Sequence, residues 1–231
     1  MTVSSLRRRE AFAPSSRVKL TPRAARHFQG TTLFDRIARA LCEADCLPRK
    51  ELYESWEMAR RARRRFRGGR VVDLACGHGL VAYLMLLLDD TSETALAVDA
   101  RIPESAAKIA NIMTTEWPRL AGRVRLEQGP IGSVELGPDD VVISTHACGA
   151  LTDEVLAKAV AAKARVAVLP CCHEKATCDR GGVDGWVDAP LAIDVTRAAR
   201  LRSSGYAVHT QLIPETITPK NRLLLGWPVA S

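Results

Sequence analysis

From residue 71 onward, short runs of β-branched apolar residues alternate with longer segments whose apolar positions recur every three or four residues. The first run, Val71–Leu74, predicts a buried strand that enters a turn holding Gly77 and Gly79, and the apolar stretch Leu80–Leu88 predicts a buried helix. Further strands are predicted at 94–98 (ending in Asp99), 124–127, 141–144 and 165–169, with helices at 103–116, 152–162 and 192–204. Such alternation predicts a mostly parallel sheet with helices on both faces, an α/β fold. The last two strands, 206–213 and 222–226, are joined by a short turn-like link and predict an antiparallel edge hairpin. Upstream, Leu33, Phe34, Ile37 and Leu41 stand at helical spacing within 31–46, where Thr31 or Thr32 can cap the start and Pro48 lies beyond the end. A second helix is expected over 50–67. Residues 1–28 carry Pro14, Pro22 and no periodicity, and predict a mobile basic arm. The chain thus divides into an arm (1–28), a small helical extension (29–69) and the main α/β domain (70–231).

With 231 residues, 47% of them hydrophobic, the chain can bury a sizeable core. Its net charge of +7 suits an anionic partner. The seven cysteines are an odd number and two are adjacent, Cys171 and Cys172, which argues for a reducing cytoplasm rather than a disulfide scaffold. The first residues lack the apolar core of a secretory signal, and the longest apolar run, Val81 to Leu88, is too short to span a bilayer, so no membrane association is expected.

The turn Val71-Val-Asp-Leu-Ala-Cys-Gly-His-Gly79 lets a backbone approach a ligand and aims helix N–H groups at it. Its glycine spacing alone leaves a dinucleotide open, because Ala82 stands where that fingerprint accepts Gly or Ala. Asp99, at the end of the next strand, is placed to accept hydrogen bonds from the ribose hydroxyls of an adenosine. Asp-Leu-Ala-Cys-Gly-His-Gly resembles the glycine-rich motif of S-adenosylmethionine-dependent methyltransferases of the Rossmann-like class I. That resemblance implies a seven-stranded sheet with an antiparallel edge hairpin and S-adenosylmethionine as cofactor. It also implies a binding surface of Asp73, Ala75, Cys76, Gly77, Gly79, Asp99, Ala100, Gln128, Gly129 and Thr145. Cys76 and His78 are read as shaping the loop.

Two further strand ends are richer in chemistry. Val141-Val-Ile-Ser-Thr-His-Ala-Cys-Gly-Ala-Leu-Thr-Asp153 and Val166-Ala-Val-Leu-Pro-Cys-Cys-His173 each end in His and Cys, so His146, Cys148, Cys171, Cys172 and His173 are candidate catalytic residues. Their order resembles a methyltransferase branch that includes the eukaryotic tRNA 2'-O-methyltransferase and the methyltransferase domain of the glutathione S-transferase C-terminal-domain-containing protein. This chain departs from the tRNA enzyme in lacking small Cys/His zinc modules near its start. Three chemistries stay open: His146 or His173 as general base, a cysteine thiolate adding to a pyrimidine ring, or zinc on Cys171, Cys172, His173 and Cys178. Adjacent ligands are awkward for one tetrahedral ion, and no metal site is assigned. The glycine-rich loop 172–185 and the segment 214–222 are expected to border the acceptor pocket.

Seven arginines crowd residues 60–70. Together with the basic arm at Arg7–Arg9 they are the expected contact for an RNA backbone. The reading is therefore a methyltransferase acting on RNA, with tRNA one candidate. Methylation of a small molecule or protein, or cofactor binding without turnover, are the alternatives.

Overall fold

The structure, a computed structural model, describes residues 12–229. Two helices come first, α1 (Leu33–Ala44) and α2 (Arg49–Arg65). The α/β region follows as β1 (Val71–Leu74), α3 (Leu80–Leu88), β2 (Ala95–Asp99), α4 (Ser105–Glu116), β3 (Val124–Gln128), β4 (Val141–Ser144), α5 (Ala150–Ala161), β5 (Arg165–Val168), α6 (Ala189–Ser203), β6 (Tyr206–Leu212) and β7 (Arg222–Pro228). The seven strands form one sheet in the order β3-β2-β1-β4-β5-β7-β6. Strands β1 to β5 are parallel, and β7 lies antiparallel to both β5 and β6. The mostly parallel sheet with an antiparallel edge hairpin is thus present, and β7 inserts between β5 and β6.

Every residue of β1 and β4 is buried because helices cover both faces of the sheet, which is why these strands read as unbroken apolar runs. Helix α3 is apolar all round since it sits between the sheet and α2. α2 turns Leu52, Met58, Ala59 and Ala62 inward. Of the two threonines expected to cap α1, Thr32 does so, its Oγ1 accepting from Asp35 N at 3.1 Å. Such a cap contributes about 1 kcal/mol.

The predicted mobile arm needs correction over residues 12–28. Leu20 and Phe28 are buried in the same apolar cluster as α1, α2, α3 and β1. Leu20 N donates to Leu47 O at 2.8 Å, Arg49 N to Val18 O and Lys50 N to Ser16 O. Phe12 stacks on His27, and the Arg49 guanidinium lies over the Phe12 ring, 3.6 Å from its centroid. A short 3₁₀ helix, Pro22–His27, between irregular stretches with two apolar anchors has no apolar period to read, so the sequence pattern missed it. Arg7–Arg9 lie outside the described residues. The 29–69 extension shares one core with the sheet. Among the described residues no helix is long and apolar enough to cross a membrane.

Candidate active site

The carboxyl ends of β1, β2, β4 and β5 open on one edge of the sheet, where a ligand of an open α/β fold sits. The turn after β1 is shaped for close approach. Ala75, Gly77 and Gly79 all adopt left-handed backbone, with φ of 56°, 54° and 73°. For alanine this conformation is strained, a state that the surrounding structure must impose. A side chain on Gly79 would meet Leu126 Cδ2 of β3 at 2.6 Å, so Leu126 would have to shift to admit it. A side chain on Gly77 would meet nothing within 4 Å, so its bareness leaves room that the protein itself does not use. Cys76 is buried, its N–H donating to Val98 O. His78 Nδ1 lies 2.7 Å from Ser105 Oγ and its Nε2 3.4 Å from Glu51, tying the turn to α4 and α2. Both residues shape the loop.

Asp99 holds this turn in place. Its Oδ2 accepts from Gly77 N at 2.9 Å and its Oδ1 from Arg101 N at 3.0 Å. Each carboxylate oxygen keeps a second lone pair, enough for a ribose diol. Ala100 and Gln128 line the open groove beside it, and Gly129 N donates to Asp99 O. Asp73 is fully buried, and burial pushes its carboxyl up to about 8, against a lowering by the Ala82 N–H at the start of α3. Its Oδ2 has no partner, and neither has the buried Oγ1 of Thr145 just past β4. Two orphaned oxygens at the ends of paired strands are what a cationic, hydroxyl-bearing ligand would satisfy. The residues present therefore fit S-adenosylmethionine.

A cavity of about 400 Å³ adjoins this edge, lined by His146, Cys171 and Cys172, by Lys50, Glu51 and Glu54 of α2, and by Arg17 and residues 218–220. The segment 214–222 thus reaches the pocket as expected. Burial keeps His146 below the ordinary histidine value, leaving it neutral at pH 7. Burial also pushes Glu51 up to about 6. Burial raises the Cys148 and Cys171 thiols, whereas the hydrogen bond with Cys148 lowers that of Cys172, helped by Lys220.

His173 is placed differently. Its Nε2 lies 2.8 Å from Asp194 Oδ2, and Asp194 also accepts from Arg222 Nε at 2.7 Å and from Arg197 Nη1 at 3.3 Å. Arg197, 1% exposed, grips Asp153 through two hydrogen bonds and Gly149 O through a third. Asp153, from the Leu-Thr-Asp motif, therefore acts through Arg197 to fix the loop that carries His146 and Cys148. Gly149 N in turn donates to Cys172 O, tying the segment after β4 to the segment after β5. Sequence reasoning missed Arg197 and Asp194, which sit on a helix with no motif around them. It missed Arg17, Lys50 and Glu54 because only tertiary packing brings them to the pocket.

Arg61 reaches Gln211 near the carboxyl end of β6, but the later arginines of the run lie at the other end of the sheet. Arg70 Nη2 pairs with Asp140 at 2.7 Å, and Arg165, the first residue of β5, donates to Arg67 O and Asp139 O. All of these precede parallel strands. α2 has 17 residues and spans about 25 Å, from its first turn, which carries Lys50 at the pocket, to this floor. Arg63, 2% exposed, is bonded to Met85 O, Phe66 O, Ser92 and Asp89. Arg60 and Arg61 bind Glu57, Arg65 lies over Trp227, and Arg67 reaches Leu88 O.

The model of a family described as a methyltransferase domain matches residues 50–179, more than half of the chain. The fold is similar to that of an O-methyltransferase family protein from Burkholderia thailandensis, with TM-score 0.53 and 18% identity over 92% of this chain and 64% of that one. It is also similar to the M1A22 tRNA methyltransferase TrmK of B. subtilis, with TM-score 0.51 and 14% identity over 76% of this chain and 66% of that one. The chain spans less than two thirds of the length of either. Comparison with curated proteins returns no match. Family match, strand order and glycine turn agree: the chain belongs to the methyltransferase-domain family and has the class I fold whose methyl donor is S-adenosylmethionine.

Proposed function

We propose that the protein transfers a methyl group from S-adenosylmethionine to RNA, within a branch resembling the tRNA 2'-O-methyltransferase. The observation that carries the acceptor is the rim of the His146 cavity. Arg17 and Lys220 stand there with no carboxylate partner among the described residues, next to Lys50, which pairs with Glu54 at 2.7 Å. Cations around a catalytic cleft favour a phosphate backbone by releasing its counterions. Trp186, 89% exposed on the loop after β5, offers a face on which an unpaired base can stack. The TrmK neighbour is named for action on tRNA, which agrees with this class of acceptor.

Within the cavity, His146 is the base that takes the proton of the attacking hydroxyl or amine. His173 serves instead to position the Cys172 end of the loop through Asp194. The arginine run 60–70 stabilises the floor of the sheet, so the RNA contact is assigned to the rim.

The test is transfer of labelled methyl from the cofactor into the RNA, protein and small-molecule fractions of a lysate. Label is expected in RNA and reduced at least tenfold by Arg17→Ala with Lys220→Ala, with cofactor affinity retained. The carboxylates Glu51 and Glu54 favour a second reading, a small amine-bearing acceptor. Label confined to the small-molecule fraction would select that reading and overturn RNA.

A further inference from the structure

Beside the cofactor edge, Cys148 Sγ lies 3.0 Å from Cys171 Sγ, which lies 3.8 Å from Cys172 Sγ. All three sulfurs fall within 4.8 Å of one another. Zinc held through Zn–S bonds of about 2.3 Å in a tetrahedron keeps its sulfurs about 3.8 Å apart. Cys171 and Cys172 already have that spacing. They can do so as sequence neighbours because β5 ends at Val168, so the chain beyond it is free of the alternation that would send successive side chains to opposite faces. The Cys148–Cys171 separation has to open by about 0.8 Å to match. Cys148 is exposed, just ahead of α5, and has room to move.

We propose that Cys148, Cys171 and Cys172 form a trithiolate site for one zinc ion, with the fourth coordination position facing the cavity lined by His146 and Lys220. The proposal goes beyond the methyltransferase reading and does not rest on it. Three thiolates on Zn²⁺ carry a net charge of −1. Lys220 Nζ, 3.8 Å from Cys172 Sγ, opposes that charge, and the positive end of the 12-residue helix α5 begins two positions after Cys148. Loading converts three thiols and Zn²⁺ into three Zn–S bonds, releasing three protons to solvent. Soft thiolates select zinc over magnesium and calcium. The ligand set offered by the sequence differs: His173 is held by Asp194, and Cys178 lies 3.6 Å from Arg197 Nη2. Neither belongs to the cluster.

The experiment uses the full chain, reduced with a phosphine, stripped with a chelator and titrated first with Co²⁺, then with Zn²⁺, without any cofactor. One Co²⁺ per chain is expected, with a thiolate-to-metal charge-transfer band and tetrahedral d–d bands that Zn²⁺ abolishes. Cys148→Ser and Cys172→Ser should each weaken Zn²⁺ at least 100-fold in competition with a chromophoric chelator, while Cys178→Ser leaves it unchanged. Circular dichroism of each variant checks folding. Since Cys148 is exposed, Cys148→Ser decides the matter even where Cys171→Ser fails to fold. Absence of the charge-transfer band in the wild type, or undiminished Zn²⁺ affinity in folded Cys148→Ser, would overturn the site. Neither result bears on methyl transfer, so the two readings fail separately.

Discussion

Replacing Asp73 by Asn should change the pH dependence of stability of the cofactor-free protein in a defined direction. Burial lifts the carboxyl from its ordinary 3.8 to about 8 in the folded state. Between those values the folded protein holds a proton that the unfolded chain has released. The contribution of this group is then fully present below pH 4 and lost as pH rises through 8. Each pH unit inside the window removes about 1.4 kcal/mol. From pH 5 to pH 7 the wild type loses about 3 kcal/mol that Asp73→Asn does not, because an amide does not titrate. For a chain of this size that is a divergence in Tm of about 5–10 °C. The assay is thermal or urea unfolding of both proteins at pH 5, 6, 7 and 8, plotted as the difference, so that other titrating groups, Glu51 among them, cancel. A flat difference curve would refute the reasoning, showing the carboxyl already ionised and its orphaned oxygen solvated. The same proton makes S-adenosylmethionine binding release H⁺ near pH 7, countable by calorimetry in buffers of different ionisation enthalpy.

Gly77→Ala and Gly79→Ala should part company. Both force alanine into left-handed backbone at about 1–2 kcal/mol, but only at Gly79 does the new methyl strike Leu126, so Gly79→Ala lowers Tm the more. Gly77→Ala should mainly cost cofactor affinity, read by isothermal titration. Asp99→Ala should remove the acceptor of Gly77 N and Arg101 N and lower S-adenosylmethionine affinity at least tenfold; undiminished binding would remove Asp99 from the site. Arg63→Ala removes the buried guanidinium on Asp89, which keeps Gly68, Thr91 and Arg67, and leaves Met85 O without its donor; it should destabilise by about 2–3 kcal/mol in urea unfolding, whereas Arg64→Ala, on the exposed face, should be silent.

The elements that could be read from the sequence are those whose environment is uniform along their length. β1 and β4 are buried throughout and α3 from Leu80 to Leu87, and their bounds coincide with the apolar runs. The glycine turn was legible because left-handed backbone selects glycine. Residue type also marked the two reactive strand ends, since His and Cys seldom cluster in an ordinary buried strand. What sequence could not divide was the work among them. His146 and His173 look equivalent on paper, and only the position of Asp194 on α6 separates them. Likewise, arginine count says nothing about partners: Arg63 and Arg64 are neighbours, one buried on Asp89 and one exposed. The docking of residues 12–28 was hidden because it depends on backbone pairing with residues 47–50, for which no local pattern exists.

The β7 insertion between β5 and β6 has a consequence for biosynthesis. The cofactor edge is drawn from residues 71–145, which leave the ribosome as one block of consecutive parallel units. The His146 cavity is walled by Arg17 and Lys50 from early in the chain and by Thr218, Pro219 and Lys220 just before β7. All seven strands share one sheet and domains form as units during synthesis, so the cofactor edge and the His146 cavity are completed together, once β6 and β7 have emerged. A nascent fragment ending before Lys220 is therefore expected to lack both the cavity wall and the strands that close the sheet.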